Sequence, residues 1–134
     1  MNEEDRGKIV QYRIEKAQTT WQEANLGAEN SLWNLCANRL YYAAFYAVTA
    51  LLLKNGHKTQ THKGVRTLFA QHFIKTEMLS IDLNDLYNEL FDKRQAGDYA
   101  DFTDYTQEDI EPLIRPTEAF IHQIKQFIDL EATY

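Results

Sequence analysis

A chain of 134 residues is long enough for one domain with its own core, and 44% hydrophobic and 13% aromatic residues exclude a disordered chain. Five glycines and two prolines are too few for an all-β fold with many turns, and a single cysteine excludes an intrachain disulfide. The net charge of −6 is unevenly spread, because residues 30–76 contain six basic and no acidic side chains.

The uneven charge allows two interpretations. Basic and acidic helices can neutralise one another inside one bundle, or residues 30–76 can form a basic surface that holds RNA, a nucleotide phosphate or an acidic partner. The first six residues lack the pattern of a secretion signal, and the apolar stretch 40–53 is shorter than the roughly 20 residues that span a bilayer. We therefore expect one cytoplasmic domain over residues 1–134, without a membrane segment.

Apolar residues spaced by four, three, four and three predict a first helix over about residues 4–25, and these are Val10, Ile14, Ala17, Trp21 and Ala24. Leu26-Gly27 predicts its end. The second helix, from about residue 31 to 54, is apolar on nearly every side and is predicted to end at Asn55-Gly56. A helix without a solvated face is either central or covered by a second chain. We expect both, and hence a dimer or a tight heteromer.

A basic loop over residues 57–64 precedes a short predicted helix, whose apolar residues are Val65, Leu68, Phe69 and Phe73. Ser80 is placed to cap a fourth helix, and residues 98–106 are predicted to form a turn.

Thr106 and Asp109 resemble a capping box before the last helix, whose start Pro112 and Pro116 should bend or delay. The sequence contains no convincing strand pattern. It therefore predicts an all-α, antiparallel helical bundle.

Four segments carry a family resemblance, in the order Asn38-Arg39-Leu40-Tyr41-Tyr42-Ala43-Ala44-Phe45, Thr61-His62-Lys63-Gly64-Val65, His72-Phe73-Ile74-Lys75-Thr76 and Arg94-Gln95-Ala96-Gly97-Asp98-Tyr99. Together they resemble the HEPN superfamily, specifically its small stand-alone bacterial and archaeal branch. The resemblance implies an up-and-down bundle of four long helices plus a short fifth, usually dimeric. It also implies an RNA-cleaving toxin, a partner of a minimal nucleotidyltransferase antitoxin, or a non-catalytic module that binds nucleotide or RNA.

The cleaving HEPN proteins have an Arg followed after four to six residues by a His, and the pair is repeated across the dimer. Arg94 matches the Arg, but Tyr99 stands where the shortest spacing would place the His, and Asp98 precedes it. Imidazole titrates near pH ~6.5 and can take or return a proton, whereas a phenol titrates near ~10. Tyr99 could hydrogen-bond a phosphate, or act if its pKa were strongly lowered, and Arg94 could supply bidentate charge. Alternatively, these residues only join the fourth helix to its neighbours.

Three further residues are candidates for binding an anion. Arg39 lies among apolar residues, so we expect it to pair with an acid such as Asp98 or Asp92, or to face a phosphate. His62 and Lys63 belong to the basic loop, which can close over an anion or pack only for shape.

Other patterns are weaker. Arg66 and His72 also fit the Arg/His spacing, but residues six apart on a helix point about 120° apart and cannot easily converge. The three histidines His57, His62 and His72 do not show the spacing of a metal-binding site. We therefore expect neither a metal nor a cofactor. Four aromatic residues of the second helix are expected in the core or an interface rather than as a base-stacking platform, namely Tyr41, Tyr42, Phe45 and Tyr46.

Two functions remain open. The first is a HEPN homodimer, possibly working with a nucleotidyltransferase partner, in which Arg94, Asp98, Tyr99 and the basic loop contact nucleotide or RNA without cleaving it. The second is a ribonuclease toxin that uses Arg94 with Tyr99 in place of the usual His. Both require the cationic side chains to meet in an accessible cleft, and not to be scattered or locked onto the protein's own carboxylates.

Overall fold

The computed structural model describes residues 2–59, 61–101 and 103–132, with only the backbone of 131 and 132. The described residues form four long helices and two short ones and contain no strand, so the predicted all-α bundle is confirmed. The helices are α1 (Glu3–Glu29), α2 (Trp33–Lys54), α3 (His62–Phe69), α4 (Ile81–Tyr99), α5 (Gln107–Ile110) and α6 (Ile114–Ala132). None of the described helices is long and apolar enough to cross a membrane.

The first helix continues past the stop predicted at Leu26-Gly27 and ends at Glu29. Gly27 is buried, and a Cβ there would lie 3.5 Å from the Leu32 carbonyl oxygen and 3.6 Å from the Cys36 nitrogen. A Cβ there would make ordinary van der Waals contacts with the backbone of α2 and of the preceding turn, so Gly27 lies inside the helix at a packed position and does not end it. The chain reverses at Ser31, whose φ of 56° is left-handed, and α2 begins at Trp33, two residues later than predicted.

The second helix occupies the centre of the bundle, as predicted, and packs against α1, α4, α6 and α3. It ends as predicted at Asn55-Gly56: Gly56 has a φ of 82°, and the His57 N–H donates to the Leu52 carbonyl at 2.9 Å. Near its start the side chain of Leu35 remains 48% exposed. A covering second chain therefore stays a prediction.

The short helix α3 begins at His62, inside the segment 57–64 predicted to be a loop, because the Thr61 side chain caps it by accepting a hydrogen bond from the Gly64 N–H at 2.9 Å. After Phe69 the chain widens into one π-helical turn over Ala70–Ile74. Phe69 and Phe73 enter the core from this segment, as their spacing predicted.

Ser80 caps α4 as predicted, but the helix extends to Tyr99, so the prediction of a turn starting at residue 98 was wrong. Groups from outside the helix satisfy carbonyls of its final turns. The Tyr105 hydroxyl donates to the Lys93 carbonyl at 2.7 Å, and the Asn34 amide donates to the Gly97 carbonyl at 3.3 Å.

The predicted capping box of Thr106 and Asp109 is present and opens α5. Pro112 lies in a 3₁₀ turn over Glu111–Leu113, and Pro116 lies in the first turn of α6. The delayed start of the last helix is therefore confirmed. Proline has no N–H to donate and is tolerated there because first-turn N–H groups lack helical partners.

Candidate functional site

The side chain of Arg94 is the centre of a polar cluster formed where α2, α3 and α4 meet. It is 6% exposed, and its guanidinium donates from Nη2 to the Tyr42 hydroxyl at 2.8 Å and from Nη1 to Gln95 Oε1 at 3.3 Å. Nε lies 3.4 Å from Asp98 Oδ2, one helical turn further along α4. Two of the five guanidinium N–H groups are thus used in hydrogen bonds; the buried Nε faces Asp98 without a hydrogen bond to the described residues, and two further hydrogens are uncommitted.

Three phenol rings surround this guanidinium. Its central carbon lies 5.3 Å from the ring centroids of Tyr41 and Tyr42 and 5.4 Å from that of Tyr99. Burial opposes the charge on Arg94, but the hydrogen bond to Tyr42 together with the electrostatic effects of Tyr42, Tyr99 and Tyr41 outweighs it and raises the pKa of the guanidinium. Arg94 therefore carries a permanent positive charge in a nearly buried, aromatic setting.

His62 from the start of α3 joins the same cluster. Its Nδ1 lies 2.7 Å from the Tyr41 hydroxyl, and its ring centroid lies 4.7 Å from that of Phe45. Burial and, second, the positive charge of Arg94 lower the pKa of His62, so the imidazole is neutral at pH 7. In the part of the chain that the structure describes, Nε2 has no hydrogen-bond partner. A fixed, neutral imidazole with one open nitrogen can accept or donate one proton.

Arg39 lies beside the cluster but pairs with a different acid from those expected. Its Nη1 is 3.3 Å from Glu23 Oε1 on α1, and its Nε donates to Asn38 Oδ1 at 3.0 Å. Asp98 is occupied elsewhere, because its Oδ2 accepts from the Asn38 amide at 2.9 Å and faces Arg94. The prediction of a partner on α4 was therefore wrong. Asn38 stands between Arg39 and Asp98, and bonds to both.

The remaining candidates lie at the surface. Tyr99 is 71% exposed, although its ring centroid lies 5.4 Å from the central carbon of the Arg94 guanidinium. Lys63 is exposed next to His62 in the first turn of α3. The structure thus brings together Arg94, Asp98, Tyr99 and His62 and places Arg39 at their edge, whereas Lys63 is an exposed neighbour of His62 in the chain.

The alternative Arg/His pair does not converge. The Arg66 guanidinium lies over the Phe91 ring, 4.3 Å from its centroid, whereas the His72 ring stacks on His57 with centroids 4.1 Å apart. Among residues 2–59, 61–101 and 103–132, no group of three or more potential metal ligands is present.

Sequence reasoning missed the role of Tyr42 and the meeting of His62 with Arg94. A usable signal was present on α2, where Asn38, Tyr41, Tyr42 and Phe45 follow the i, i+3, i+4, i+7 spacing of one helix face. Because that face meets both the end of α4 and the start of α3, residues far apart in sequence share one cluster.

Comparison with known proteins agrees with the resemblance. A family model described as the HEPN domain matches residues 10–127. A UPF0332 protein of Thermotoga maritima is 35% identical over 96% of this chain and 96% of its own length. A Methanocaldococcus jannaschii protein named "Putative toxin" is 31% identical over 86% of this chain and 78% of its own, and a second protein of that name and organism is 30% identical over 87% of both.

Proposed function

Because the chain belongs to the HEPN domain family, we propose that it is a HEPN module in which the Arg94 cluster holds a phosphate group of RNA or of a nucleotide. The observation that supports this proposal most directly is the guanidinium of Arg94, which is held in place and still has N–H groups available for a further acceptor. His62, whose Nδ1 contacts the Tyr41 hydroxyl, has its other ring nitrogen available in the same cluster. An oriented guanidinium is well suited to bidentate phosphate recognition.

Access to Arg94 is governed by Tyr99. The Tyr99 ring lies near the guanidinium and is itself mostly exposed, so in this proposal Tyr99 moves aside to admit the ligand to Arg94, which is 6% exposed. In this proposal Lys63, exposed next to His62, supplies a further positive charge, as does Arg39, whose carboxylate partner Glu23 is half-exposed. In this proposal Asp98 positions Arg94, while Tyr99 and His62 contact the ligand.

We also propose that the module is a homodimer that works with a minimal nucleotidyltransferase antitoxin. Leu32 and Leu35 are 52% and 48% exposed, and Leu35 lies on the same face of α2 as Asn38 and Tyr42. An exposed apolar pair beside the cluster favours contact with a second chain. The toxin names of two relatives are consistent with such a partnership.

Binding of a fluorescein-labelled single-stranded RNA, followed by anisotropy, tests the proposal. Arg94→Lys keeps the charge but loses the bidentate fork, and we expect it to weaken binding on the order of tenfold. Arg115→Gln, an exposed arginine on α6, is the control and should bind within about twofold of wild type after its single charge is removed. Equal affinity of wild type and Arg94→Lys, with both proteins folded, would refute the proposal.

A second candidate, metal-independent RNA cleavage, is favoured by one observation, the neutral imidazole of His62 close to Arg94. His62 can take the proton of a 2′-hydroxyl as that oxygen attacks the neighbouring phosphorus, and Arg94 can stabilise the added charge. The departing 5′-oxygen then needs a proton, which the Tyr99 hydroxyl could supply. This assigns the base to His62 rather than to Tyr99.

Expression of the chain alone in a bacterium separates the two candidates. Growth arrest and cleavage of total RNA that disappear in His62→Gln and Arg94→Ala, but persist in His72→Gln, indicate the ribonuclease. Absence of both effects, with RNA binding retained, indicates the binding module.

A further inference from the structure

A second cationic site lies at the other end of α2, away from the Arg94 cluster. A cavity of about 230 Å³ opens there between α1, the end of α2 and the basic loop. Its lining combines three bases with an apolar floor: Arg13, His57, Lys58, Thr49, Thr59, Ile9, Leu52 and Leu53. No residue of this lining belongs to the Arg94 cluster.

Charge in this cavity is unbalanced. No Asp or Glu lines it, and the ion pairs among the described residues are Lys8–Glu4, Arg39–Glu23 and Arg94–Asp98. Arg13 is only partly exposed, and its Nη1 donates to the Thr49 carbonyl at 3.3 Å. That bond uses one of five guanidinium donors, and burial without a compensating carboxylate lowers the pKa of Arg13.

The C-terminal carbonyls of α2 explain only part of this arrangement. Their partial negative charge favours a cation, and the Thr49 carbonyl satisfies one donor of Arg13. A helix end carries about half an elementary charge, whereas Arg13 and Lys58 together carry two. Arg13 is partly buried and Lys58 is exposed, so an anion between them would neutralise the buried charge most directly.

We propose that this cavity binds a phosphate monoester dianion, with Arg13 and Lys58 as its charged ligands and His57 as a neutral hydrogen-bond partner. The guanidinium fork fits two phosphate oxygens, and the ammonium supplies a point charge. Ile9, Leu52 and Leu53 form a floor for a small apolar group attached to the phosphate. The volume lies below the roughly 300 Å³ at which pockets enclose drug-sized ligands, so a larger ligand would insert only its phosphate end.

The His57 ring, which lines the cavity, also packs against a second histidine. It stacks on His72, and burial and then the neighbouring His72 lower the pKa of His57. Arg13 and Lys58, which line the cavity with His57, and His72, which stacks on it, are all bases, so a phosphate would supply the negative charge that these residues lack.

The test uses the full chain and two probes, inorganic phosphate and phenyl phosphate, each added against chloride at equal ionic strength. We expect amide chemical-shift changes confined to residues 9–13, 49–53 and 57–59, and tighter binding of phenyl phosphate than of inorganic phosphate. Arg13→Gln and Lys58→Gln should each weaken binding on the order of tenfold. Lys75→Gln removes the same charge from an exposed residue outside the cavity and should leave binding unchanged.

Phosphate also stabilises proteins non-specifically, so the comparison of variants decides the outcome. Shifts spread over the surface, or equal affinities of wild type, Lys58→Gln and Lys75→Gln, would overturn the proposal. If Arg13→Gln fails to fold, Arg13→Lys, which keeps the charge but not the fork, replaces it. If the Arg13 and Lys58 variants lose phosphate binding but bind RNA as the wild type does, the cavity and the Arg94 cluster are separate sites.

Discussion

The hydroxyl of Tyr41 on α2 and Nδ1 of His62 on α3 lie 2.7 Å apart, and this contact fixes the imidazole beside Arg94. Tyr41 is fully buried, whereas His62 is partly exposed. The buried phenol thus acts as the anchor and the imidazole as the group that it orients.

Tyr41→Phe should lower the free energy of unfolding by about 1–3 kcal/mol, because the variant leaves a partly buried imidazole nitrogen without its partner. In a double-mutant cycle with His62→Gln, urea denaturation should give a coupling energy of about 0.5–1.5 kcal/mol. Tyr46→Phe, on the same helix, is the control and should change stability by less. Additive effects of the two substitutions would show that the contact contributes nothing.

Acidification should destabilise the protein through His62. Its pKa is lowered in the folded state, so the unfolded chain binds its proton more readily, and stability is lost as pH falls below about 6.5 toward the folded-state pKa. Thermal denaturation at pH 7.5 and 5.5 should therefore show a smaller loss for His62→Gln than for wild type. His122→Gln, an exposed histidine on α6, should behave as wild type. An unchanged pH dependence in His62→Gln would contradict this linkage.

The ion pair of Arg39 with Glu23 should contribute little to stability. The two side chains are 28% and 53% exposed, and exposed pairs typically give about 0.2–1 kcal/mol. Arg39→Ala should therefore shift the melting temperature only slightly. Arg94→Ala should cost more, about 1–3 kcal/mol, because it deletes a buried side chain and leaves the Tyr42 hydroxyl without its partner. A marked loss in Arg39→Ala, comparable to that of Arg94→Ala, would show that Arg39 is bound more tightly than its exposure indicates.

Two glycines should respond in opposite directions to alanine. A Cβ at Gly7 on α1 meets no atom within 4 Å, so Gly7→Ala should stabilise the protein by about 0.5–1 kcal/mol through helix propensity. A Cβ at Gly64 would collide with the hydroxyls of Thr59 and Thr61, and the latter caps α3. Loss of that cap costs about 0.5–2 kcal/mol, so Gly64→Ala should destabilise. Equilibrium denaturation of both variants checks the pair, and a stabilised Gly64→Ala would count against the cap.

The amino-acid sequence determined the elements of the fold. Apolar periodicity located the long helices, Asn55-Gly56 and Ser80 marked two of their boundaries, and Thr106 with Asp109 marked the start of α5. These features depend on residues within a few positions of one another, which a single sequence displays directly. Helix ends that depend on distant contacts were misplaced: Gly27 stays helical because it packs on Cys36, and Tyr99 because Tyr105 and Asn34 hold the last turns of α4.

Only the tertiary structure decided which charges meet. Linear spacing pointed from Arg94 to Tyr99, but the packing of α2 against α3 and α4 brings His62, 32 positions earlier in the chain, to the same guanidinium. The packing also pairs Arg39 with Glu23 and places Arg13, His57 and Lys58 in the lining of one cavity. The physical reason is that helix formation depends on local periodicity, whereas an electrostatic site depends on distances between helices, which are fixed only when their apolar faces pack.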